Sequence, residues 1–556
     1  MIIQTQKRLF AWDCLEDHPT LLTIKELLEI IPDGKLLEGL KTARGKGRDD
    51  YPVRTLWGVA VLTAALRHTS FEACLGELRR NPSLAKLVGI ESEEKIPKSW
   101  NISRFLDVLG QEGHRAELEA AFNALVKRLG EVVPDLGLNT AADSTSLKAR
   151  KLRKDAEEDR ETSQGAVKEE KGAGGGQASG ASGGQQVGQN AAALESQTAA
   201  EKASLGGSPE RSERALRVPS QARRSTKGSA KAKGAEAASP SSKDGEKEKI
   251  EYDQHGLPQP SGGRKEYKDD EGCVTLVFEW FGYKLHLLVD VQHEVILAYR
   301  ISSTKRGDNE LLPELVDQGK ANLGDGRIKT LAYDKAADDI KVHRKLQQSG
   351  IKPVIQNRSC WKEEKEKLLP GHDGNSNIVY DEAGTLYCYD RVSNPMIRRP
   401  MAFIGHEKSR GTLKYRCPAR HDGLPCAMSS ICNAGKKYGL TVRVKQEIDL
   451  RRFPAIPRAT KQFERLYKGR TSVERVNARV KIFWGADDGN VTGPTRFFAH
   501  VGITMIVHLA FATLLASLPR VDGLKRKGTL GRMQLSPIAR ALRARIVAAL
   551  NRGESA

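Results

Sequence analysis

Aromatic residues set the first constraint on how this chain can fold. No Phe, Trp or Tyr occurs between Phe122 and Tyr252, and so long a gap in the aromatics points to a middle portion that is not globular. Inside it, residues 171–190 hold eight glycines among twenty positions, with Ser, Ala, Lys and Gln supplying most of the remainder. The expectation is a low-complexity, disordered insert over 151–262, tolerated because loop-closure entropy grows slowly with length. A chain of 556 residues that is 39% hydrophobic must then concentrate its cores on either side of that insert, in more than one domain.

Charge is distributed just as unevenly. The net charge is +20. Residues 151–260 carry 18 basic and 17 acidic side chains, which nearly cancel, whereas residues 451–556 carry 20 and 6, a surplus of 14. A basic surplus in a folded region suggests a polyanion, most often nucleic acid; a soluble basic protein without such a partner stays open on charge alone. Eight cysteines at irregular spacing make no disulfide framework. The start, Met1 to Phe10, lacks the apolar core of a signal peptide. Phe497 to Pro519 has no Asp, Glu, Lys or Arg but includes Thr504, His508, Thr513 and Ser517, which favours a buried helix over a membrane span. Cytoplasmic localisation without membrane attachment is expected.

Periodicity divides the rest. Residues 1–130 read as an N-terminal helical domain suited to DNA binding or to packing on its neighbour: Leu21, Leu22, Ile24, Leu27, Leu28 and Ile31 recur at helical spacing, Thr55 to Leu66 is an apolar run, and Ser70 is a candidate N-cap. Structure is expected to resume at Cys273, with strands in Val274–Phe281, Gly282–Asp290 and Glu294–Ile301, a helix over Asn309–Leu323, a strand over Ile328–Tyr333 and a helix over Ala336–Gln348. Residues 355–456, rich in Gly, Cys and short strands, read as an inserted β-rich subdomain, and helix returns at Lys461.

Three acidic residues stand out. Asp143 ends a candidate strand, Asp334 ends another, and Glu474 lies on the helix from Lys461. Carboxylates at neighbouring strand ends, faced by one from a helix, make an oxygen-ligand site for Mg²⁺ or Mn²⁺, and two such ions can drive phosphoryl transfer. Singly, each Asp reads as well as a turn or helix cap. At 100° per residue Tyr467, Arg470, Glu474 and Lys481 share an arc of roughly 60°. That face suits a metal beside a phosphate backbone, or an ordinary Arg–Glu pair on a solvated helix.

Tyr467-x2-Arg470-x3-Glu474-x6-Lys481 resembles the Y-x2-R-x3-E-x6-K signature of bacterial insertion-sequence DDE transposases. Asp143-Ser-Thr resembles the family's first catalytic motif, Gly282-Tyr-Lys-Leu-His its second strand, and Asp334-Lys-Ala-Ala-Asp338 its second catalytic motif, with Ala336 and Ala337 where Gly and Tyr are usual. Tyr51 to Phe105 is similar to the helical domain that precedes these cores. Asp143 and Asp334 lie 334 − 143 = 191 positions apart; without the 110 residues of 151–260 they lie 81 apart, room for three strands and a helix.

The resemblance implies an α/β fold: an RNase H-like mixed sheet with flanking helices, split into 131–150, 263–354 and 457–520, with the β insertion at 355–456 and a basic tail at 521–556. It implies a DNA transposase that cleaves transposon ends and transfers strands into target DNA, acting as a homodimer on double-stranded DNA through a hairpin intermediate. Asp143, Asp334 and Glu474 would be catalytic and hold two Mg²⁺ or Mn²⁺ ions; Tyr467, Arg470, Lys481, Lys335 and Trp361 would contact DNA, the last by stacking on a flipped base. A catalytically inactive DNA-binding derivative and a nuclease that cuts without joining are the alternatives.

Other features stay secondary. Cys417, His421, Cys426 and Cys432 have the ligand types of structural zinc, though their spacing matches no common finger; separate thiols are the other reading. His286 and Lys284 share a strand face and either approach the site or lie exposed. Lys525, Arg526, Lys527, Arg532, Arg540, Arg543 and Arg545 suit a helix showing Arg to phosphates.

Overall fold

The computed structural model describes residues 19–46, 50–151, 249–268, 273–361, 365–371, 377–488 and 491–517. The body of the low-complexity insert and the basic tail, including Lys525 and Arg532 to Arg545, lie outside the described residues. The chain divides into a main unit (Met1–Arg150, Glu246–Gly263 and Trp280–Ala556) and a small one (Lys151–Gly245 and Arg264–Glu279). In the small unit, Arg264 pairs with Glu266 at 2.8 Å and Glu279 at 3.5 Å.

Seven helices open the main unit: α1 (Pro19–Ile30), α2 (Gly34–Arg44), α3 (Val53–Ala65), α4 (Phe71–Arg80), α5 (Pro82–Leu87), α6 (Ser99–Leu109) and α7 (Glu112–Val132). Ser70 caps α4 as expected, its Oγ accepting the Ala73 N–H at 3.1 Å, and Asn81 with Pro82 opens α5. Every residue of α3 except Arg54 is buried. The apolar helix near the C-terminus, α14 (Pro494–Ser517), packs against α1, α3, α6 and α7 and is likewise buried. An all-round apolar helix belongs inside a core. Several of its polar side chains bond within the core: Thr504 and Thr513 bond the carbonyls of His500 and Leu509, and His508 Nε2 accepts the Ile296 N–H, while His508 Nδ1 is buried without a partner.

The central sheet uses β1 (Asn139–Lys148), β2 (Ser261–Lys268), β3 (Val274–Asp290), β4 (Ile296–Ser303), β5 (Thr330–Tyr333) and β6 (Lys352–Ile355). Its order through the main unit is β4-β3-β1-β5-β6, with β3 antiparallel to β4 and β1, and β1, β5 and β6 parallel. Thr330, Leu331, Ala332 and Tyr333 are all buried, as a central strand covered on both faces requires. Helix α8 (Asp308–Leu323) precedes β5 and α9 (Ile340–Gln348) follows it.

Three boundaries differ from expectation. Structure is already present from residue 249, before Cys273: Asp253 Oδ1 accepts the N–H groups of His255 and Leu257, Leu257 is buried, and β2 starts at Ser261. The two strands expected across Gly282 are one, because Gly282 (φ 149°) lies so close to Leu147 O that a Cβ would meet it at 2.1 Å. The helix expected from Ala336 starts at Ile340, since Asp334 first closes a 3₁₀ turn over Lys335–Ala337.

The segment after β6 is β-rich. It contains an antiparallel sheet of β7 (Glu366–Leu368), β8 (Ile378–Asp381), β9 (Leu386–Asp390) and β10 (Ile397–Pro400), and a second of β11 (Ala402–Glu407), β12 (Thr412–Arg416) and β13 (Thr441–Lys445). Two single-turn helices, α10 (Pro418–His421) and α11 (Ser429–Cys432), lie between β12 and β13. Its small core gathers Leu369, Ile378, Leu386, Leu413, Val442 and Phe453. The chain then returns through α12 (Lys461–Tyr467) and α13 (Thr471–Ala478) to α14.

Candidate active site

Asp143 does not end its strand as expected: pairing with β3 carries β1 on to Lys148, so Asp143 is mid-strand and enters the site through strand register. Ala141 on β1 lies opposite Ala332 on β5, so continuing two residues along these parallel strands brings Asp143 level with Asp334. Across the antiparallel pair Asp143 faces Leu287, which belongs to the large core shared with Val473 and Val476 of α13. Directly opposed residues share a sheet face, so Asp143 is on the side where α13 packs. Asp334 is both strand end and cap, its Oδ1 accepting the Ala336 N–H at 2.9 Å.

The third carboxylate arrives on α13, and Arg470 links it to the sheet. Arg470 donates to Glu474 Oε1 at 2.6 Å and lies 3.8 Å from Asp143 Oδ2. Burial works against the guanidinium's charge, yet Glu474, Asp143, Tyr467 and Asp334 together raise its pKa. Tyr333, the last residue of β5, reports the same cluster: burial first, then Asp308, Asp143 and Asp334, keeps its phenol protonated. Arg470 thus pairs with Glu474, lies beside Asp143 and feels the charge of Asp334.

The helix carrying the signature is not uniform. Lys468–Arg470 tightens to 3₁₀ and Arg479–Phe483 widens to a π turn, so the 60° arc of an ideal helix does not describe it. Tyr467 stacks on Phe463 at 5.7 Å, and burial raises its phenol against the neighbouring charge of Arg470. Lys481 lies 3.4 Å from Ser146 Oγ on β1 and 3.5 Å from Asp487. Lys335 is exposed beside Asp334.

A buried ion-pair node fixes α13. Glu294, in the turn between β3 and β4, is 2% exposed and binds Arg475 at 2.6 Å and Arg479 at 2.9 Å. Ser472 Oγ adds a bond to Val291 O at 2.9 Å. Sequence reasoning missed this node, because partners so far apart in the chain leave no periodic signal.

Asp338, the second acid of the Asp334 motif, has a different role. It is fully buried and accepts from His343 Nε2, the Arg358 N–H, Arg451 and Arg458. Burial alone would raise its pKa. The bonds from His343, Arg358 and Arg451 and the charge of Arg458 outweigh that and hold it at about 2. Arg358 lies at the start of the insertion, Arg451 near its end and Arg458 just past it, so this carboxylate ties both ends of the insertion to the turn after β5. Arg458 also donates to the carbonyls of Ile355, Ala383 and Arg451.

Other candidates fall elsewhere. His286 is buried, hydrogen-bonded to Ser302 at 2.8 Å, and burial lowers its pKa to about 4. Lys284 bonds Arg306 O at the approach to α8. Neither reaches the carboxylates nor lies exposed, because Asp308 covers their face. Trp361 belongs to the insertion's core edge, packed on Tyr380 with Lys367 and Arg452 over its ring at 4.8 and 4.7 Å.

His421 is also displaced from its expected partners. It is exposed and bonded to Asp422 at 2.7 Å. Cys388, overlooked in the sequence, takes its place beside Cys417, Cys426 and Cys432: burial raises the Cys388 thiol to about 12, and the charges of those three add to it.

No three His, Cys, Asp or Glu side chains among the described residues close on one point. The donor set of Asp143, Asp334 and Glu474 nevertheless fits a hard divalent cation, being all oxygen and already gathered around a positive charge. Two family models match the chain. A transposase DDE domain matches residues 245–510, which carry Asp334 and Glu474, and a transposase domain (DUF772) matches residues 13–107, which span α1 to α6. Asp143 precedes the first of these. A search of curated proteins gave no match. With both domain matches in place, the chain belongs to the insertion-sequence DDE transposases.

Proposed function

We propose that this transposase cleaves DNA at the ends of its own element and joins the freed 3′-hydroxyl to target DNA. The observation that carries this reading is the grouping of Asp143, Asp334 and Glu474 around Arg470. The strand order β4-β3-β1-β5-β6, with β3 alone reversed, supports an RNase H-like core. Asp143, Asp334 and Glu474 would hold two Mg²⁺ or Mn²⁺ ions. When bound, those ions activate the attacking hydroxyl and stabilise the leaving oxygen.

The chain's own residues do the rest. Arg470 and Lys481 hold phosphates flanking the scissile bond, and Tyr467 keeps Arg470 in place from its stack on Phe463. Lys335 adds a cation beside Asp334. Trp361, with Lys367 and Arg452 around it, suits a displaced base together with its phosphate. Two ends must be joined, so the working form is a homodimer on double-stranded DNA.

The test uses purified chain, Mg²⁺ and a DNA fragment bearing the element's terminal repeats. The wild type should cut and join. Glu474→Ala should lose cleavage by about three orders of magnitude or more while end binding stays within a few-fold. Normal cutting by that variant would refute the site; cutting by the wild type without joining would make the chain a nuclease.

A further inference from the structure

The insertion holds five cysteines that the catalytic reading does not use, and four of them, all but Cys360, come together. Cys388 is on β9, Cys417 directly follows β12, and Cys426 and Cys432 bracket the turn into α11. The fold brings them together from a strand, the end of a second strand and the segment that follows it. Asn377 Nδ2 is 3.5 Å from Cys388 Sγ and 3.9 Å from Cys432 Sγ, so one amide bridges two sulfurs. Asn433 Nδ2 is 3.6 Å from Cys417 Sγ, while its Oδ1 accepts the Leu440 N–H. Cys426 is held beside β9 through Asp390, which also accepts the Ala427 N–H at 2.7 Å. Asn377, Asn433 and Asp390 are each at most 5% exposed.

We infer that Cys388, Cys417, Cys426 and Cys432 form a structural zinc site that fastens the segment between β12 and β13 to the first sheet of the insertion. Four thiols are a complete tetrahedral donor set for Zn²⁺. Side-chain amides aimed at the sulfurs are the outer partners that such thiolates use to orient and spread their charge. Binding releases up to four protons and leaves a net charge of −2. Lys436, bonded to Cys432 O at 3.1 Å, and Arg399, opposite Cys388 on β10, stand near to offset it.

The fold supplies the need. Residues 417–440 contain only two single-turn helices, and Leu424, Ile431 and Tyr438 are exposed. Isolated single turns do not hold themselves, and small units with little core are commonly fastened by metal. The sulfurs are gathered but not closed on one point; ligation would draw them in. His421, turned outward onto Asp422, has no part.

The test is zinc content of the reduced full-length chain, with release followed on titration of its thiols by a mercurial. The wild type should carry about one zinc per chain. Cys388→Ser and Cys426→Ser should lower that at least fivefold, while His421→Ala and Cys360→Ser leave it unchanged. Should the serine variants fail to fold, cobalt-substituted wild type still decides: it should show the spectrum of a tetrahedral four-thiolate site, identical in His421→Ala. A reduced chain that neither carries nor takes up zinc overturns the inference, as does loss of metal in His421→Ala.

Discussion

Asp334 and Asp338 stand four residues apart in one motif, yet they belong to opposite kinds of site. Asp338 is fully buried, with two guanidinium groups, an imidazole and a backbone N–H around it. Asp334 is only half-buried, and its Oδ1 receives the Ala336 N–H. The same contrast separates their regions. Around the insertion's junction every carboxylate lone pair has a donor, and the result is a fixed joint. Where Asp143, midway along β1, and Asp334, just past β5, meet α13, Arg470 pairs with Glu474 and lies 3.8 Å from Asp143, and Glu474, 49% exposed, stays open to a ligand. A saturated carboxylate builds structure, and an undersaturated one can do chemistry.

The largest effect should come from breaking the saturated joint. Asp338→Ala leaves buried Arg458, 7% exposed, without its carboxylate and should cost about 3–5 kcal/mol of folding stability. Chemical denaturation measures it. A cost under about 1 kcal/mol would show that the joint is not what holds the insertion. The sign of its pH dependence is fixed. Asp338 titrates near 2, below its ordinary 3.8, so its contribution is complete above about pH 4 and lost as pH falls through 2. That loss amounts to roughly 2 kcal/mol, and it should be missing from the variant.

A second, smaller effect lies between the two regions. Glu294→Gln keeps the shape of the turn but removes the charge that Arg475 and Arg479 share. Arg479 is 3% exposed, so the cost should be about 3 kcal/mol. Because α13 carries Glu474, strand cleavage should fall about tenfold with DNA-end affinity nearly unchanged. Unchanged cleavage at full folding would mean that α13 is positioned by its apolar face, Val473 and Val476, alone.

What the sequence showed and what it hid follow the same division. Asp334 and Glu474 stand in local patterns, a strand end and a helix with fixed spacing, whereas Asp143, expected at a strand end, lies midway along β1, because the strand continues to Lys148 on its pairing with β3. The buried strand Thr330–Tyr333 and helix α14 were legible as apolar runs. Glu294–Arg479 and Asp338–Arg458 were not, since a long-range pair leaves no periodicity on either partner. Cys388 escaped for that reason too: it joins the other thiols across sheet topology, while His421 was the nearer ligand in the chain only. Lys481 was placed by assuming 3.6 residues per turn throughout, and the 3₁₀ and π turns on either side of α13 changed its neighbours to Ser146 and Asp487.

The smallest effect tests whether the undersaturated site is tuned for a metal. Arg470 already sits 2.6 Å from Glu474 and 3.8 Å from Asp143, where it competes with an incoming divalent cation for the same oxygens. Two unit charges about 4 Å apart interact by about 1 kcal/mol in water and about 4 near a protein surface. The exposure of Glu474 puts this site toward the lower value. Arg470→Ala should therefore tighten Mn²⁺ binding by a few-fold to about tenfold, read by calorimetry on DNA-free protein, even as it weakens the hold on DNA phosphates and lowers cleavage. Salt should narrow the difference, because screening weakens the competing charge. Weaker Mn²⁺ binding in Arg470→Ala would reverse the assignment: the guanidinium would then be holding the carboxylates together for the ion, and the half-exposed site would be built like the joint at Asp338.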